Sequence, residues 1–504
     1  MFARQLASGL LKPGTKLSER PSWVPEWSSL TDEERTLYAR MMEVFAGFLT
    51  HTDAQVARIL DFVAGLGELD DTVVLLMSDN GASAEGGAKG SFNEQYFFNF
   101  VPESFEENLR RIDDLGTPRA NNHYPWGWAW AGNTPLKRFK RDTHEGGVAD
   151  PLIVHWPAGI GSDGATRHQY VHAIDVLPTL LELIGIDPPD VIAGVAQRPI
   201  EGVSFAPSLR AADAESAHVT QYYEMLGSRA LYHDGWKAVV FHTSLGIAYD
   251  GSDVTIPFDD DVWELYHVAT DFSEVHDLAA ERPDKLDEMK QRWWDEAAKY
   301  QVLPLNNQPG RFGDRRHRRH RRHRHVLWGG IGPLSETVAP SLKHRSFVIA
   351  AEVVVPAEGP TDGVIVAHGG HSGGYALYLQ GRRLHYVYNF LGREISTISA
   401  ATELPTGPMV LRLDFTSAGG DGGHAALFYD DVPVGEGTVP HSTLLTYGTS
   451  GFAVGYQPAG PISPALEGRA AIPDDVLGKV VIEAEAQAQR PPPPVEPRAD
   501  LATQ

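Results

Sequence analysis

Residues 73–81 read VVLLMSDNG, an apolar run that stops on Ser78, Asp79, Asn80 and Gly81. A short continuous apolar run bounded by turn residues predicts a strand covered on both faces, as in parallel sheets. Polar residues directly after it mark the carboxyl end of that strand, the edge beyond which open α/β sheets bind ligands. Asp79 and Asn80 offer a carboxylate and a carboxamide, hard oxygen donors suited to Ca²⁺ or Mg²⁺. Asp-Asn-Gly is equally good turn chemistry, and the two residues alone leave both readings open.

Working outward, Thr31 followed by Glu34 is a capping box. Leu37, Met41, Val44, Phe45, Phe48, Val56, Ile59, Leu60 and Val63 follow at helical spacing, so one long helix or a kinked pair is expected over 31–66, stopped by Gly65 and Gly67. Residues 150–156 (DPLIVHW) predict a second strand. Residues 175–184 predict a helix with Asp175 at its N-cap, Pro178 in its first turn, a buried stripe of Leu177, Leu180, Leu181 and Ile184, and Gly185 as its stop. Another helical stretch spans 283–300. Strand, helix, strand, helix is the α/β signature.

Between the two strands, residues 82–136 lack periodicity yet hold His123, Tyr124, Trp126, Trp128 and Trp130, too aromatic a set for disorder. The tryptophans fit either an apolar wall for an aromatic substrate or a core beneath a long loop. His123, Trp126, Trp128 and Asn133 are the candidate substrate-pocket residues. Lys140 lies in a basic stretch five residues before Glu145-Gly146-Gly147. A lysine there could hold an anionic oxygen near a metal, or belong to a solvated loop. The two glycines would permit close backbone approach.

The second half changes character. Residues 315–325 read RRHRRHRRHRH, expected to be a solvated linker. Short alternating strands follow, such as SFVIAAEVVV (346–355), GGYALYLQ (373–380) and RRLHYVYNF (382–390), with glycine-rich turns, which predicts an all-β, jelly-roll-like sandwich. The expected division is an α/β part over 1–310, a linker over 311–325, a sandwich over 326–480 and a Pro-rich disordered tail over 481–504.

The formal net charge is −23, which argues against nucleic acid as a partner, because phosphate binding needs a basic face. The cysteine count is zero, which removes disulfides, thiolate metal sites and a cysteine nucleophile from these residues. No signal-like or bilayer-spanning segment is visible, so a soluble, cytoplasmic protein without a membrane partner is expected.

Taken together, six segments in order resemble the sulfatase family, specifically its bacterial-type arylsulfatase branch. They are VVLLMSDNG (73–81), YPWGWAWAGNTPLKRFKRDTHEGG (124–147), PLIVHWPAGI (151–160), HAIDVLPTLLELIGI (172–186), YYEMLGSRALYHDGWKAV (222–239) and WELYHVATDFSEVHDLAAERPDKL (263–286). The resemblance implies an alkaline-phosphatase-like mixed sheet with helices on both faces, present only in part. It implies sulfate-ester hydrolysis by a formylglycine hydrate and a divalent metal, Ca²⁺ or Mg²⁺, with a small molecule or glycan as substrate. Asp79 and Asn80 then correspond to two metal ligands, and Lys140 to the lysine that binds the sulfate group.

One departure is decisive. Formylglycine is made from the Cys or Ser of a Cys/Ser-x-Pro-x-Arg motif, and no proline of this sequence has that setting. The family's front portion is expected to be missing, with no turnover from these residues alone and with an exposed sheet edge and apolar helix faces. Two alternatives are a non-catalytic binder of sulfated glycans or aryl compounds, and a phosphodiesterase of the same superfold.

Overall fold

The computed structural model describes residues 1–99, 101–160, 164–242, 257–307, 323–418, 422–448, 450–468 and 471–485. One helix runs from Asp32 to Gly65 without a break. Its start is fixed locally: Glu34 N donates to Thr31 Oγ1 at 3.1 Å, and Thr31 N donates to Glu34 Oε2 at 2.9 Å. Leu37, Tyr38 and Met41 in its first half pack against Phe92, Leu115, Tyr124 and Phe139. Beyond its first turns the helix is less covered, and Phe48, Ile59 and Phe62 are 67%, 64% and 68% exposed.

The strand Val74–Met77 pairs antiparallel with Leu152–His155, Val74 opposite His155 and Met77 opposite Leu152. This corrects the parallel arrangement expected from the apolar run. A continuous apolar run encodes a demand for burial, not a strand direction. Direction is set by the intervening excursion, which returns to its starting point: Ser78 N donates to Pro151 O at 3.4 Å and Gly81 N to Gly147 O at 3.3 Å. Burial on both faces also fails here, since Leu76, Met77 and Ile153 are exposed. All strand pairs among the described residues are antiparallel.

The helix Val176–Ile184 ends at Gly185 in a left-handed turn, as its sequence predicts. Its stripe differs, however: Thr179 is the buried residue, while Leu177 and Ile184 face solvent. Asp175 makes no side-chain cap to this helix. Its carboxylate accepts instead from His172 N, Val203 N and His218 Nδ1, each within 2.9 Å. Val203 and His218 lie 28 and 43 residues away, beyond any local signal.

A four-stranded meander follows: Thr220–Met225, Ser228–His233, Trp236–Val240 and Glu264–Tyr266. Two tight turns join its first three strands, Leu226-Gly227 and Asp234-Gly235, with all four residues at positive φ. That backbone matches the twist of a two-residue hairpin. The helix Pro283–Lys299 covers one face, setting Met289, Trp293 and Ala297 on Leu231, Ala238 and Leu265.

The last region is a sandwich of two antiparallel sheets. One runs in the order Val432–Val439, Gly423–Tyr429, Gly407–Ser417, Phe347–Val355, Leu477–Ala484, Arg324–Trp328. The other runs Glu394–Ser399, Arg383–Phe390, Gly373–Gln380, Gly363–Gly370, Phe452–Val454. Phe347, Ile349, Ala351, Val353 and Val355 alternate inward, as a period-two strand dictates, and meet Tyr375, Leu377 and Tyr386 from the facing sheet in one core. The first strand begins at Arg324 and the last ends at Ala484, so each edge of the sandwich lies outside the span 326–480 read from sequence. Most of the Arg/His run (315–322) and the tail from 486 lie outside the described residues.

Candidate functional site

Two chain segments fold against each other to build the site. The first, 78–85, leaves the end of the strand Val74–Met77; the second, 133–147, carries the basic stretch and the Glu-Gly-Gly turn. Their backbones meet where Lys140 N donates to Ala82 O at 3.1 Å. The contact is too close for side chains: a Cβ on Gly81 would lie 1.7 Å from Gly146 O, and one on Gly146 would lie 2.3 Å from Lys137 O. The glycines are required by approach rather than by turn geometry.

Asn133 is the clamp of this arrangement. Its Oδ1 accepts from Ala82 N at 2.8 Å, and its Nδ2 donates to Arg138 O at 2.9 Å and Gly146 O at 2.7 Å. The amide is thereby committed to three backbone groups. His123 is likewise engaged, with Nε2 2.9 Å from Ser83 Oγ and Nδ1 3.0 Å from Tyr124 O. Trp126, Trp128 and Trp130 lie on the helix Trp126–Gly132 and are half-buried against the core beneath the long helix. Trp128 Nε1 donates to Tyr38 O at 2.9 Å.

Asp79 is exposed, and Asn80 Nδ2 donates to Gly81 O at 3.0 Å. Hard oxygen donors at a strand end are right in kind for Ca²⁺ or Mg²⁺. In number they fall short, because among the described residues no group of three or more His, Cys, Asp or Glu side chains is disposed to hold a metal. Asp150, at the start of the paired strand, has its carboxyl pushed up to about 6 by burial and by the charges of Asp79 and Glu145.

Lys140 Nζ donates to Glu85 Oε2 at 2.7 Å, and the Arg141 guanidinium pairs with Glu85 Oε1. Burial alone would raise the Glu85 carboxyl, but Lys140 and Arg141 hold it below the usual carboxylate range. Behind the turn, charged residues of the four-stranded sheet fix its position. Lys237 Nζ lies 2.6 Å from Glu145 Oε1 and 3.2 Å from Glu274 Oε1. Lys137 Nζ lies 2.5 Å from Glu264 Oε2 and donates to Tyr266 Oη at 2.7 Å. His144 is fully buried, and burial pulls its imidazole down to about 4.

The site therefore brings Lys140 beside the segment that carries Asp79 and Asn80, and sets His123 one hydroxyl away from Glu85. Reading the sequence missed Glu85, Arg141 and Lys237. Lys237 does leave a trace, a lone cation at an inward position of WKAVV. Glu85 leaves none, because its partners lie 55 residues on in an irregular segment.

The Sulfatase family model matches residues 16–186, and the model for the C-terminal region of N-sulphoglucosamine sulphohydrolase matches 137–301. Residues 16–301 are thus similar to sulfatases through two overlapping family models. An uncharacterized sulfatase of Schizosaccharomyces pombe is 30% identical over 277 residues, 53% of this chain and 45% of that protein. An arylsulfatase of Klebsiella aerogenes is 28% identical over 211 residues, 41% of this chain and 42% of its own length. An N-acetylglucosamine-6-O-sulfatase of Bacteroides thetaiotaomicron is 22% identical over 48% of this chain and 32% of that one. The chain thus spans less than half the length of these relatives. The crystal structure of Ps i-CgsB aligns at a TM-score of 0.34 and 19% identity over 62% of this chain and 53% of that one.

Proposed function

We propose that these residues form the anion-binding and metal-binding side of a sulfuric ester hydrolase of arylsulfatase type, acting on a sulfated small molecule or glycan. In this reading Asp79 and Asn80 hold a divalent cation, Ca²⁺ or Mg²⁺, through oxygen, and Lys140 neutralises charge on the sulfate group. The cation, when bound, supplies Lewis-acid polarisation of a sulfate oxygen. The remaining work falls to the chain itself. Asn133 and the glycines hold the two segments in contact, and the buried Lys237–Glu145 pair anchors the turn that carries Lys140.

The observation that carries this reading is the hydrogen bond from Lys140 N to Ala82 O, which keeps the cation-bearing turn three residues from Asp79. The nucleophile is a separate matter. The 504 residues contain no cysteine and no Ser-x-Pro-x-Arg, so formylglycine chemistry has no precursor in them. We therefore assign recognition of the sulfate group to these residues and no turnover by them alone.

Calorimetric titration of inorganic sulfate into the purified protein, with Ca²⁺ present, tests the assignment. Saturable binding that Lys140→Ala removes and Asp79→Ala weakens supports it. Binding unchanged by Lys140→Ala refutes it.

A further inference from the structure

The Glu85 carboxylate sits where two cations converge, at 7% side-chain exposure, while Lys140 and Arg141 themselves stay 34% and 23% exposed. Oε2 accepts from Lys140 Nζ at 2.7 Å and from Ser83 Oγ at 3.1 Å, and Oε1 pairs with Arg141. The backbone holds this convergence rigidly. Phe139 is wholly buried between Arg138 and Lys140. Lys140 N is tied to Ala82 O, and Asp142 N donates to Phe139 O at 3.0 Å. Arg141 has φ +79°, a left-handed conformation that a side chain with a Cβ rarely adopts. Such strain persists where the surroundings over-determine it, and it clusters at functional positions.

We propose that Glu85 is an internal counter-ion occupying the oxyanion position of the site, and that Arg141 is the second cation of that position, so that a sulfate group binds by displacing the Glu85 carboxylate. The inference rests on the reading of Lys140 as the sulfate-binding residue and adds two residues to it. A carboxylate and a sulfate monoester carry the same single charge and present oxygens to the same donors, so exchanging one for the other leaves the site at the same net charge. Arginine is suited to the second place because its planar fork serves a carboxylate or a sulfate without rebuilding. The displaced Glu85 retains a hydrogen-bond route through Ser83 Oγ, which His123 Nε2 holds at 2.9 Å. With Glu85 ionised, the site discriminates against weak oxyanion ligands, because each must outcompete a tethered carboxylate.

The test is titration of inorganic sulfate at fixed ionic strength into the full chain and its Glu85→Gln and Glu85→Asp variants, each checked for folding by thermal melting. Acylation of Lys140 by an amine-reactive ester, mapped by peptide mass spectrometry, supplies a second readout. Glu85→Gln tightens sulfate about tenfold or more and speeds Lys140 labelling, since a full opposing charge is removed within hydrogen-bond distance of the cations. Glu85→Asp, with its charge withdrawn by one methylene, falls between and decides the matter if the Gln variant does not fold. Arg141→Gln in the Glu85→Gln background cancels most of the gain. Unchanged or weaker sulfate binding by both Glu85 variants overturns the inference. If Lys140→Gln abolishes sulfate binding while Glu85→Gln leaves it unchanged, the sulfate reading stands and only the counter-ion role falls. Absence of sulfate binding in every variant overturns both.

Discussion

Lys237 and Glu145 form an ion pair at 2.6 Å with both side chains shut away from solvent, joining the four-stranded sheet to the Glu-Gly-Gly turn. Glu274 completes the cluster, its Oε1 3.2 Å from Lys237 Nζ and its Oε2 accepting from Glu145 N at 2.8 Å. Replacing Lys237 by Met leaves two carboxylates buried without a cation. Breaking such a cluster from one side costs about 3–5 kcal/mol, whereas replacing all partners together is far milder. Urea denaturation is expected to show that loss for Lys237→Met and substantial recovery in the triple variant Lys237→Met/Glu145→Gln/Glu274→Gln.

The approach of Gly81 to Gly146 sets a second expectation. An added Cβ at Gly81 meets the Gly146 carbonyl oxygen at 1.7 Å, and backbone has to move to admit it. Gly81→Ala is expected to cost about 1–3 kcal/mol, the range for overpacking a well-filled interior. Because Lys140 N is bonded to Ala82 O next door, the same variant also weakens sulfate binding. Thermal melting and sulfate titration of Gly81→Ala against Gly67→Ala check both points, since Gly67 has open space around its Cβ direction but shares the strain of a positive φ.

How much of this was legible in the sequence follows from the range of each interaction. Thr31 and Glu34 are three residues apart, and the capping box forms as its spacing says. Phe347–Val355 alternates in sequence and alternates in burial. Asp79, Asn80 and Lys140 stand out in the sequence by residue type and setting, and their expected roles come from a resemblance carried by ordered segments. The direction of Val74–Met77 was not legible, since apolar content is blind to whether the partner strand runs with or against it. Nor was Glu85, whose partners Lys140 and Arg141 approach only because the excursion folds back.

His218 provides a pH expectation. Burial pulls its imidazolium down, but the Asp175 carboxylate at 2.8 Å and the Thr220 carbonyl at 3.0 Å more than offset this, and its pKa stands above the ordinary histidine value. A raised folded-state pKa contributes stability fully below the unfolded value of about 6.5, and the contribution is lost as pH rises through the folded value. Wild type is therefore expected to exceed His218→Gln most at pH 6 and by a shrinking margin towards pH 9. A margin that grows with pH in denaturation curves would count against the pairing.

Asn99, in the excursion between the two paired strands, ties that excursion to the sandwich. Its Oδ1 accepts from Leu445 N at 2.8 Å and Thr446 N at 3.2 Å, and its Nδ2 donates to Thr446 O at 2.9 Å. Asn99→Ala removes three hydrogen bonds to partly buried backbone groups, each worth about 0.5–1.5 kcal/mol. Differential scanning calorimetry is expected to show a lower melting temperature and loss of coincidence between the two regions.

The exposed face of the long helix gives the last expectation. Phe48, Ile59 and Phe62 recur at helical spacing on one face of that helix and are 67%, 64% and 68% exposed, an apolar stripe of the kind that drives association. Ile59→Lys/Phe62→Lys should lower light scattering and dye binding at high protein concentration without lowering the melting temperature.

In the proposed function these 504 residues recognise a sulfate group while holding no formylglycine precursor to cleave its ester. Release of aryl alcohol from an aryl sulfate by the purified protein, in Ca²⁺ and in Mg²⁺, measures it most directly. The account predicts no release above the buffer rate, alongside sulfate binding that depends on Lys140. Hydrolysis that follows the protein through purification and vanishes in Lys140→Ala contradicts it.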